Sequence, residues 1–266
     1  MSSPHNSQPG GFFPPSSVLP SPAPSSTSAT SSAAAVSALP HPRGKALLPN
    51  TKKEDMVRRF AEQRLLDVSR RYVKKFAPPD PQDTIVGFRS FTEVCREFDG
   101  LVNILWRSGT PSLQIPFLLR LASDFTQYVR SFPPAPRPTF ALLRKLDHCF
   151  ASLLRGADTS TNEALPGFEN GLRMGMTVTD MVRCRSIVEQ TRVLVVEIMS
   201  QPAPEEEEDE EWDGETGTET ETEDGMRFAQ ECDDDDDEAR LHMDAARVFE
   251  KTIVQLGERL GEPLGE

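Results

Sequence analysis

Apolar residues recur every three or four positions along the middle of the chain, which is the period of an amphipathic helix. Proline, glycine and polar clusters interrupt this pattern. The stretches between them predict helices over residues 51–76, 84–108, about 112–130, 138–155, 178–200 and about 238–260. The sequence therefore predicts an all-α fold, a helical bundle of about five helices that is followed by a C-terminal helix.

Capping signals support two of these helices. Thr51 with Glu54, and Thr177 with Asp180, have the spacing of a capping box, in which two side chains satisfy free backbone N–H groups at a helix start. Residues 193–196 are apolar and rich in valine, a β-branched residue that favours strands. A strand at that position is therefore the alternative to the end of the fifth helix.

The turn between the second and third helices carries its own stop and start signals. Gly109 is suited to end the second helix, and Thr110 is suited to cap the third. Proline lacks the N–H that an inner helical position uses, so Pro116 predicts a third helix that starts near Ser112 or is kinked. Gly156 is expected to end the fourth helix in the same way as Gly109.

Composition divides the chain into four parts. Residues 1–50 contain 12 Ser and 10 Pro, and such a segment buries too little apolar surface to offset an ordering entropy of about 1–2 kcal/mol per residue. We expect a disordered tail over 1–50, a helical bundle over 51–200, an acidic disordered linker over 201–238 and a C-terminal helix over 239–261.

The net charge of −13 conceals two opposed blocks. Residues 205–238 hold 20 Asp and Glu against one Arg, a balance of −19, whereas residues 41–77 hold 11 Lys and Arg against 4 acids, a balance of +7. The first predicted helix is therefore basic as well as amphipathic. Its cations form a candidate surface for an anionic partner: Arg58, Arg59, Arg70, Arg71, Lys74 and Lys75.

Residues 84–156 carry the densest apolar pattern and the centre of the predicted bundle. Within this stretch, four large side chains near the predicted turn are candidates for the core or for a binding groove: Trp106, Leu113, Ile115 and Phe117.

The residue patterns of common catalytic and metal sites are missing from the sequence. It has no GxxxxGK[ST], GxSxG or HExxH motif, and its four cysteines lack zinc spacing. Asp147 and His148 are adjacent, but neighbours on a helix point about 100° apart. We therefore predict a protein that is not an enzyme and that has no cofactor and no metal.

No stretch of 18 apolar residues and no secretory leader is present, so we expect a nuclear or cytoplasmic protein without membrane contact, with the nucleus favoured. Amphipathic helices flanked by charged arms suit docking to other proteins. The alternative is a nucleic-acid-binding accessory protein that contacts DNA through the basic helix 51–76. The oligomeric state stays open.

Several segments resemble a small fungal family of short proteins that are often named after the meiosis-specific recombinase of the RecA family. The resemblance spans roughly residues 85–256, and its most specific segments are 98–102, 108–116, 140–147, 165–169, 182–193 and 246–253. It implies a nuclear, meiosis-linked role. It does not imply ATP-driven strand exchange, which needs a Walker A loop and a parallel sheet. The sequence thus favours a non-catalytic protein–protein interaction subunit linked to recombination or chromosome biology.

Overall fold

The computed structural model of the protein describes residues 39–78, 84–169, 171–199 and 241–261. These residues form six α-helices: α1 (Lys52–Lys74), α2 (Phe91–Ser108), α3 (Pro111–Tyr128), α4 (Pro136–Arg155), α5 (Val178–Met199) and α6 (Glu250–Leu260). The described residues contain no strand beyond one isolated bridge between Ala157 and Ala164. The predicted all-α fold is confirmed.

Helix α1 begins where the sequence indicates, with a modified capping box. The Oγ1 of Thr51 accepts the N–H of Glu54 at 3.4 Å, whereas the Glu54 carboxylate accepts the N–H of Asn50 at 2.7 Å, one residue before the cap. At the start of α5, Thr177 and Asp180 form the complete reciprocal pair. In both boxes the threonine hydroxyl accepts an N–H of the first helical turn that has no intrahelical partner.

Helix α2 starts at Phe91 instead of the predicted residue 84, because the preceding residues are extended along α1. The carbonyl of Val86 accepts a hydrogen bond from Arg71 Nε at 3.2 Å. A Cβ added to Gly87 would lie 2.7 Å from the backbone nitrogen of Lys75. Only glycine allows the extended segment to pass this close to the end of α1.

Helix α3 starts at Pro111, its first helical position, and continues through Pro116. The predicted start near Ser112 is therefore one residue late. Thr110 occupies the cap position, but its hydroxyl accepts the N–H of Leu47 and donates to the carbonyl of Ser108, at 2.9 Å each. Packing of the buried faces of α3 compensates for the backbone hydrogen bond that Pro116 cannot donate.

The predicted C-terminal helix is interrupted. Residues 241–246 are helical, but Phe249 adopts a left-handed backbone conformation with φ of 57°, and α6 begins only at Glu250. The Phe249 side chain is buried beside Phe150, with ring centroids 6.1 Å apart. Left-handed backbone is unfavourable for a bulky residue, so packing of this ring holds the break.

The core is built around α4, which packs between α2 and α6, while α3 packs on α2 and α5. Eight large side chains in α2, α3, α4 and the C-terminal region are almost fully enclosed: Phe91, Phe98, Leu105, Trp106, Leu118, Phe125, Phe150 and Phe249. The fifth helix is helical throughout 193–196, so the strand alternative was wrong. Gly109 and Gly156 end α2 and α4 in left-handed conformations, as expected.

Residues 39–50 lie against the bundle, although the sequence places them in the predicted tail. Leu47 is buried, and the N–H of Arg43 donates to the carbonyl of Arg107 at 3.2 Å. The rest of the predicted tail, over 1–38, and the whole of the predicted acidic linker, over 201–238, lie outside the described residues.

Candidate protein-interaction site

The predicted anionic-partner residues of α1 are distributed over several local contacts. Arg58 pairs with Glu54 at 2.8 Å and Arg59 with Asp55 at 3.0 Å, both across one helical turn. Arg70 lies 3.6 Å from Asp67. Glu54 is buried, whereas the pairs of Arg59 and Arg70 are exposed, and exposed pairs contribute about 0–1 kcal/mol. Their cations are partly neutralised by neighbouring acids, and their role as an anionic-partner surface stays a prediction.

Two other cations of this set hold α1 to the bundle. Arg71 donates to Glu93 at 2.8 Å and Glu97 at 3.1 Å, and its guanidinium lies 4.0 Å from the ring centre of Phe88. Lys75 Nζ lies 4.7 Å from the ring centre of Phe132. These contacts are between separate segments, so both residues position α1.

Lys74 completes the predicted set. It occupies the last position of α1, beside the extended segment that leads to α2, and it takes part in an interaction of its own.

The candidate core-or-groove residues Trp106, Leu113, Ile115 and Phe117 are all buried in the hydrophobic core. The indole of Trp106 meets the ring of His148 edge-to-face, with centroids 5.4 Å apart. The Trp106 carbonyl accepts a hydrogen bond from buried Gln114 Nε2 at 3.2 Å. The structure therefore places these four residues in the core, at the turn between α2 and α3, where Trp106 also contacts α4.

His148 joins α4 to the loop that follows it. Its Nε2 lies 3.2 Å from the Asp158 carboxylate, and its Nδ1 lies 3.2 Å from the Thr159 hydroxyl and 3.4 Å from the Ser160 hydroxyl. A cavity of about 290 Å³ separates this cluster from residues 39–44. The imidazole thus uses both nitrogens to fix the loop beside Trp106.

Several hydrogen bonds keep Asp158 ionised. Burial by itself would raise the pKa of Asp158, but the backbone N–H groups of Ser160 and Thr161, together with His148, lower it below the ordinary value. Hydrogen bonds to a carboxylate favour its charged form. The charged Asp158 therefore acts as an anchor for its own turn and for the imidazole.

Asp147, the neighbour of His148, makes a separate junction with α6. Its Oδ1 accepts the Thr252 hydroxyl at 2.7 Å and the Thr252 N–H at 2.8 Å. Burial raises the pKa of Asp147, and the bonds from Thr252 offset only part of that rise. This pair was missed from the sequence because its members are 105 positions apart.

The described cysteines have no features of a reactive or metal-binding site. Cys95, Cys149 and Cys184 are buried free thiols. Burial raises the pKa of Cys95 and of Cys184 to about 12, and that of Cys149 also rises, so all three stay protonated. Among the described residues, no group of three or more His, Cys, Asp or Glu could hold a metal ion.

Helix α5 carries a second apolar face that points to solvent. Four valines leave more than half of their surface exposed: Val178 at 66%, Val182 at 55%, Val193 at 69% and Val196 at 54%. Arg185 and Glu189 lie between them on the same side and pair with each other at 2.8 Å. We call these six residues the outer stripe of α5. Exposed apolar side chains grouped on one side of a helix are typical of interaction sites.

A family model described as "TFB6: Subunit 11 of the general transcription factor TFIIH" matches residues 87–257, more than half of the chain. The chain belongs to this family. The TFB6 match starts just before α2 and ends within α6, so it includes the α4 junctions and the outer stripe of α5 but not α1.

One relative of this TFB6 chain is an uncharacterized protein of Schizosaccharomyces pombe. The two are 26% identical over 149 residues, which is 54% of this chain and 78% of the relative. No solved structure matches the chain.

The family match corrects the resemblance that the sequence indicated. The family is TFB6, described as a subunit of a general transcription factor, and not one named after a meiosis-specific recombinase. The predicted link to meiosis and recombination was therefore wrong. The coarser prediction, a nuclear protein with protein partners, agrees with the TFB6 description. A search of the described helices for one long and apolar enough to cross a membrane finds none.

Proposed function

We propose that this protein is a non-catalytic subunit of TFIIH that works in the nucleus by binding other protein subunits. The observation that carries the proposal is the family match over residues 87–257. It covers the helices that form the core around α4. We place the subunit-binding surface in this matched part, outside α1.

The architecture supports a scaffold role. The polar groups that could perform chemistry are used in packing: Asp147 holds α6 through Thr252, and His148 holds a loop through Asp158. Exposed apolar side chains, in contrast, lie on the outside of a helix, where they are accessible to another protein. A rigid helical unit with such a face is suited to docking.

The proposal is tested by purifying the tagged full-length protein from nuclear extract, with nuclease treatment, and identifying the bound proteins by mass spectrometry. We expect TFIIH subunits in a fixed ratio to the tagged chain, which persist after nuclease treatment. A matched variant with Arg58, Arg59 and Arg70 replaced by glutamine should retain the TFIIH subunits, because these three cations pair with acids of α1 itself and α1 lies outside the matched part. Absence of TFIIH subunits, or their loss with nuclease, contradicts the proposal.

DNA binding through the basic helix remains the alternative prediction from the sequence, and the structure offers it little support. Arg58, Arg59 and Arg70 lie beside acids of α1, and Arg71 is engaged by α2. Binding that relies on phosphate contacts weakens steeply with salt. A steep salt dependence that the glutamine variant loses would favour the alternative over the TFIIH proposal.

A further inference from the structure

The outer stripe of α5 is almost symmetric about its own midpoint. Counting 100° per residue, its six members fall within an arc of about 80°, roughly 140° from the centre of the buried face of the same helix. Residue 187 is the midpoint: Val178 and Val196 lie nine positions to either side of it, and Arg185 and Glu189 lie two positions to either side. Val182 and Val193 lie five and six positions away.

The outer stripe therefore has nearly the same order of apolar and charged side chains when it is followed in either direction along α5. Two copies of α5 that run antiparallel, with residue 187 at the crossing point, bring the valines at one end of one stripe onto the valines at the opposite end of the other. The same arrangement sets Arg185 of each copy against Glu189 of the other. A two-fold symmetric contact requires a self-complementary patch of this type.

We propose that the outer stripe of α5 pairs with the outer stripe of a second copy of this chain in an antiparallel, two-fold symmetric contact. The valines supply the apolar contact, and the Arg185–Glu189 ion pair, which joins atoms 2.8 Å apart within one helix, is extended across the contact into a four-residue cluster. Arg183, Ser186 and Gln190 are exposed polar residues beside the stripe and would form part of its rim.

Charge outside the stripe favours the antiparallel arrangement over a parallel one. The acidic run over 205–238, with its balance of −19, follows α5 in the chain. In an antiparallel pair centred on residue 187, the two Met199 ends lie about 36 Å apart along the helix axis, given a rise of about 1.5 Å per residue. This separation exceeds the screening length of about 8 Å at physiological salt, whereas a parallel pair brings the two ends together.

The size of the contact sets its expected strength. The stripe is about 27 Å long and one helix wide, which is less area than the roughly 800 Å² per partner that stable complexes bury. The dimer is therefore a weak one that forms as concentration rises. This contact goes beyond the proposed TFIIH role and does not depend on it.

The test is sedimentation velocity of the full-length protein from low to high micromolar concentration. We expect the sedimenting mass to rise from the 29.5 kDa monomer towards twice that value. Val182→Glu should weaken the dimer by about tenfold or more, because it places a charge inside the apolar contact. Val73→Glu, at a valine of α1 that is 63% exposed, is the matched control and should leave the dimer unchanged. Circular dichroism checks that each variant is folded.

A charge-swap series identifies the second copy as the partner. Arg185→Glu alone sets glutamates against glutamates, and Glu189→Arg alone sets arginines against arginines, so each variant should dimerise about tenfold or more weakly. Mixing the two variants should restore association, because every cross-contact then joins opposite charges. A mixture of either variant with the Val182→Glu protein should remain monomeric.

Three results would overturn the proposal. Wild-type protein that stays monomeric at high concentration excludes the second copy. A dimer that is insensitive to Val182→Glu uses another surface. A monomer in which Val182→Glu removes co-purifying TFIIH subunits shows that the stripe serves a different subunit, which leaves the TFIIH role intact and excludes self-pairing.

Discussion

Two adjacent residues of α4, Asp147 and His148, anchor two different parts of the molecule. Each anchor contains one aspartate, and the pKa values of these two aspartates shift in opposite directions. Asp147 is a buried carboxylate that accepts hydrogen bonds from Thr252 of α6, and burial raises its pKa. Its neighbour His148 contacts Asp158 in the loop after α4. Burial by itself would raise the pKa of Asp158 too, but hydrogen bonds from backbone N–H groups outweigh burial and lower that pKa.

The difference lies in what surrounds each carboxylate. Asp158 accepts N–H groups from its own turn as well as the imidazole, so its charge is well compensated. Asp147 depends on Thr252 and its neighbour Lys251, two consecutive residues from a distant part of the chain. A buried charge whose partners lie in its own turn is compensated locally, whereas a charge whose partners lie on a distant segment is tolerated only while that segment stays in place.

The loop junction is tested most strongly by removing the indole against which His148 packs. We expect Trp106→Ala to lower the free energy of unfolding by about 3–5 kcal/mol, because it leaves a large cavity beside the imidazole. Urea denaturation measures the change. Trp106→Phe, which retains an aromatic ring, should cost clearly less. A loss below about 1 kcal/mol for the alanine variant would contradict a core position for Trp106.

The α6 junction is tested by Thr252→Val, which keeps the shape of the side chain but removes its donor to Asp147. We expect the free energy of unfolding to fall by about 1–3 kcal/mol, the usual cost of losing a hydrogen bond to a buried charged group, while the backbone N–H of residue 252 still donates to Asp147. Thr252→Ser retains the hydroxyl and should be closer to wild type. Equal effects of the serine and valine variants would mean that the methyl group, and not the hydrogen bond, matters at this position.

The smallest effect is a contrast in pH dependence. The pKa of Asp147 is raised above its ordinary value of 3.8, so the folded protein keeps the carboxyl proton at pH values where the unfolded chain has lost it. The free energy of unfolding therefore falls as the pH rises from 3.8 through the pKa of the folded state. A lowered pKa at Asp158 means the reverse: its stabilisation is present above 3.8 and is lost as pH falls through the folded pKa.

Unfolding measured in urea across this acidic range separates the two groups. Asp147→Asn should flatten the slope above pH 3.8, and Asp158→Asn should flatten the slope below it. The slopes are compared rather than the absolute stabilities, since both variants also alter hydrogen bonds at every pH. Slopes that match the wild type in both variants would contradict the opposite pKa shifts.

The features that could be predicted from the sequence are the helices and their ends, because these depend on residues close together in the chain. The apolar spacing of three and four residues identified five of the helices to within a few residues, apart from the start of α2, and the glycines that end α2 and α4. The ion pair of Glu54 with Arg58 also depends only on short-range spacing, since side chains four positions apart are neighbours on a helix. Local geometry is sufficient for features of this kind.

The remaining features depend on contacts between distant segments. Residues 84–90 have helical apolar spacing but are extended, because Val86 bonds to Arg71 and Gly87 passes the end of α1. The break at Phe249 has no glycine or proline to mark it and follows from burial of the ring. The outer stripe of α5 was not predicted, because the sequence alone does not show which apolar side chains of a helix are buried and which are exposed.

The remote position of Thr252 also determines the order in which the protein is completed during synthesis. Asp147 leaves the ribosome 105 residues before its partner, which at about 5–20 residues per second is an interval of roughly 5–20 s. Throughout that time the side of α4 that α6 will cover faces water or a chaperone, and Asp147 is solvated and charged. The last helix therefore closes a nascent bundle by dehydrating a carboxylate.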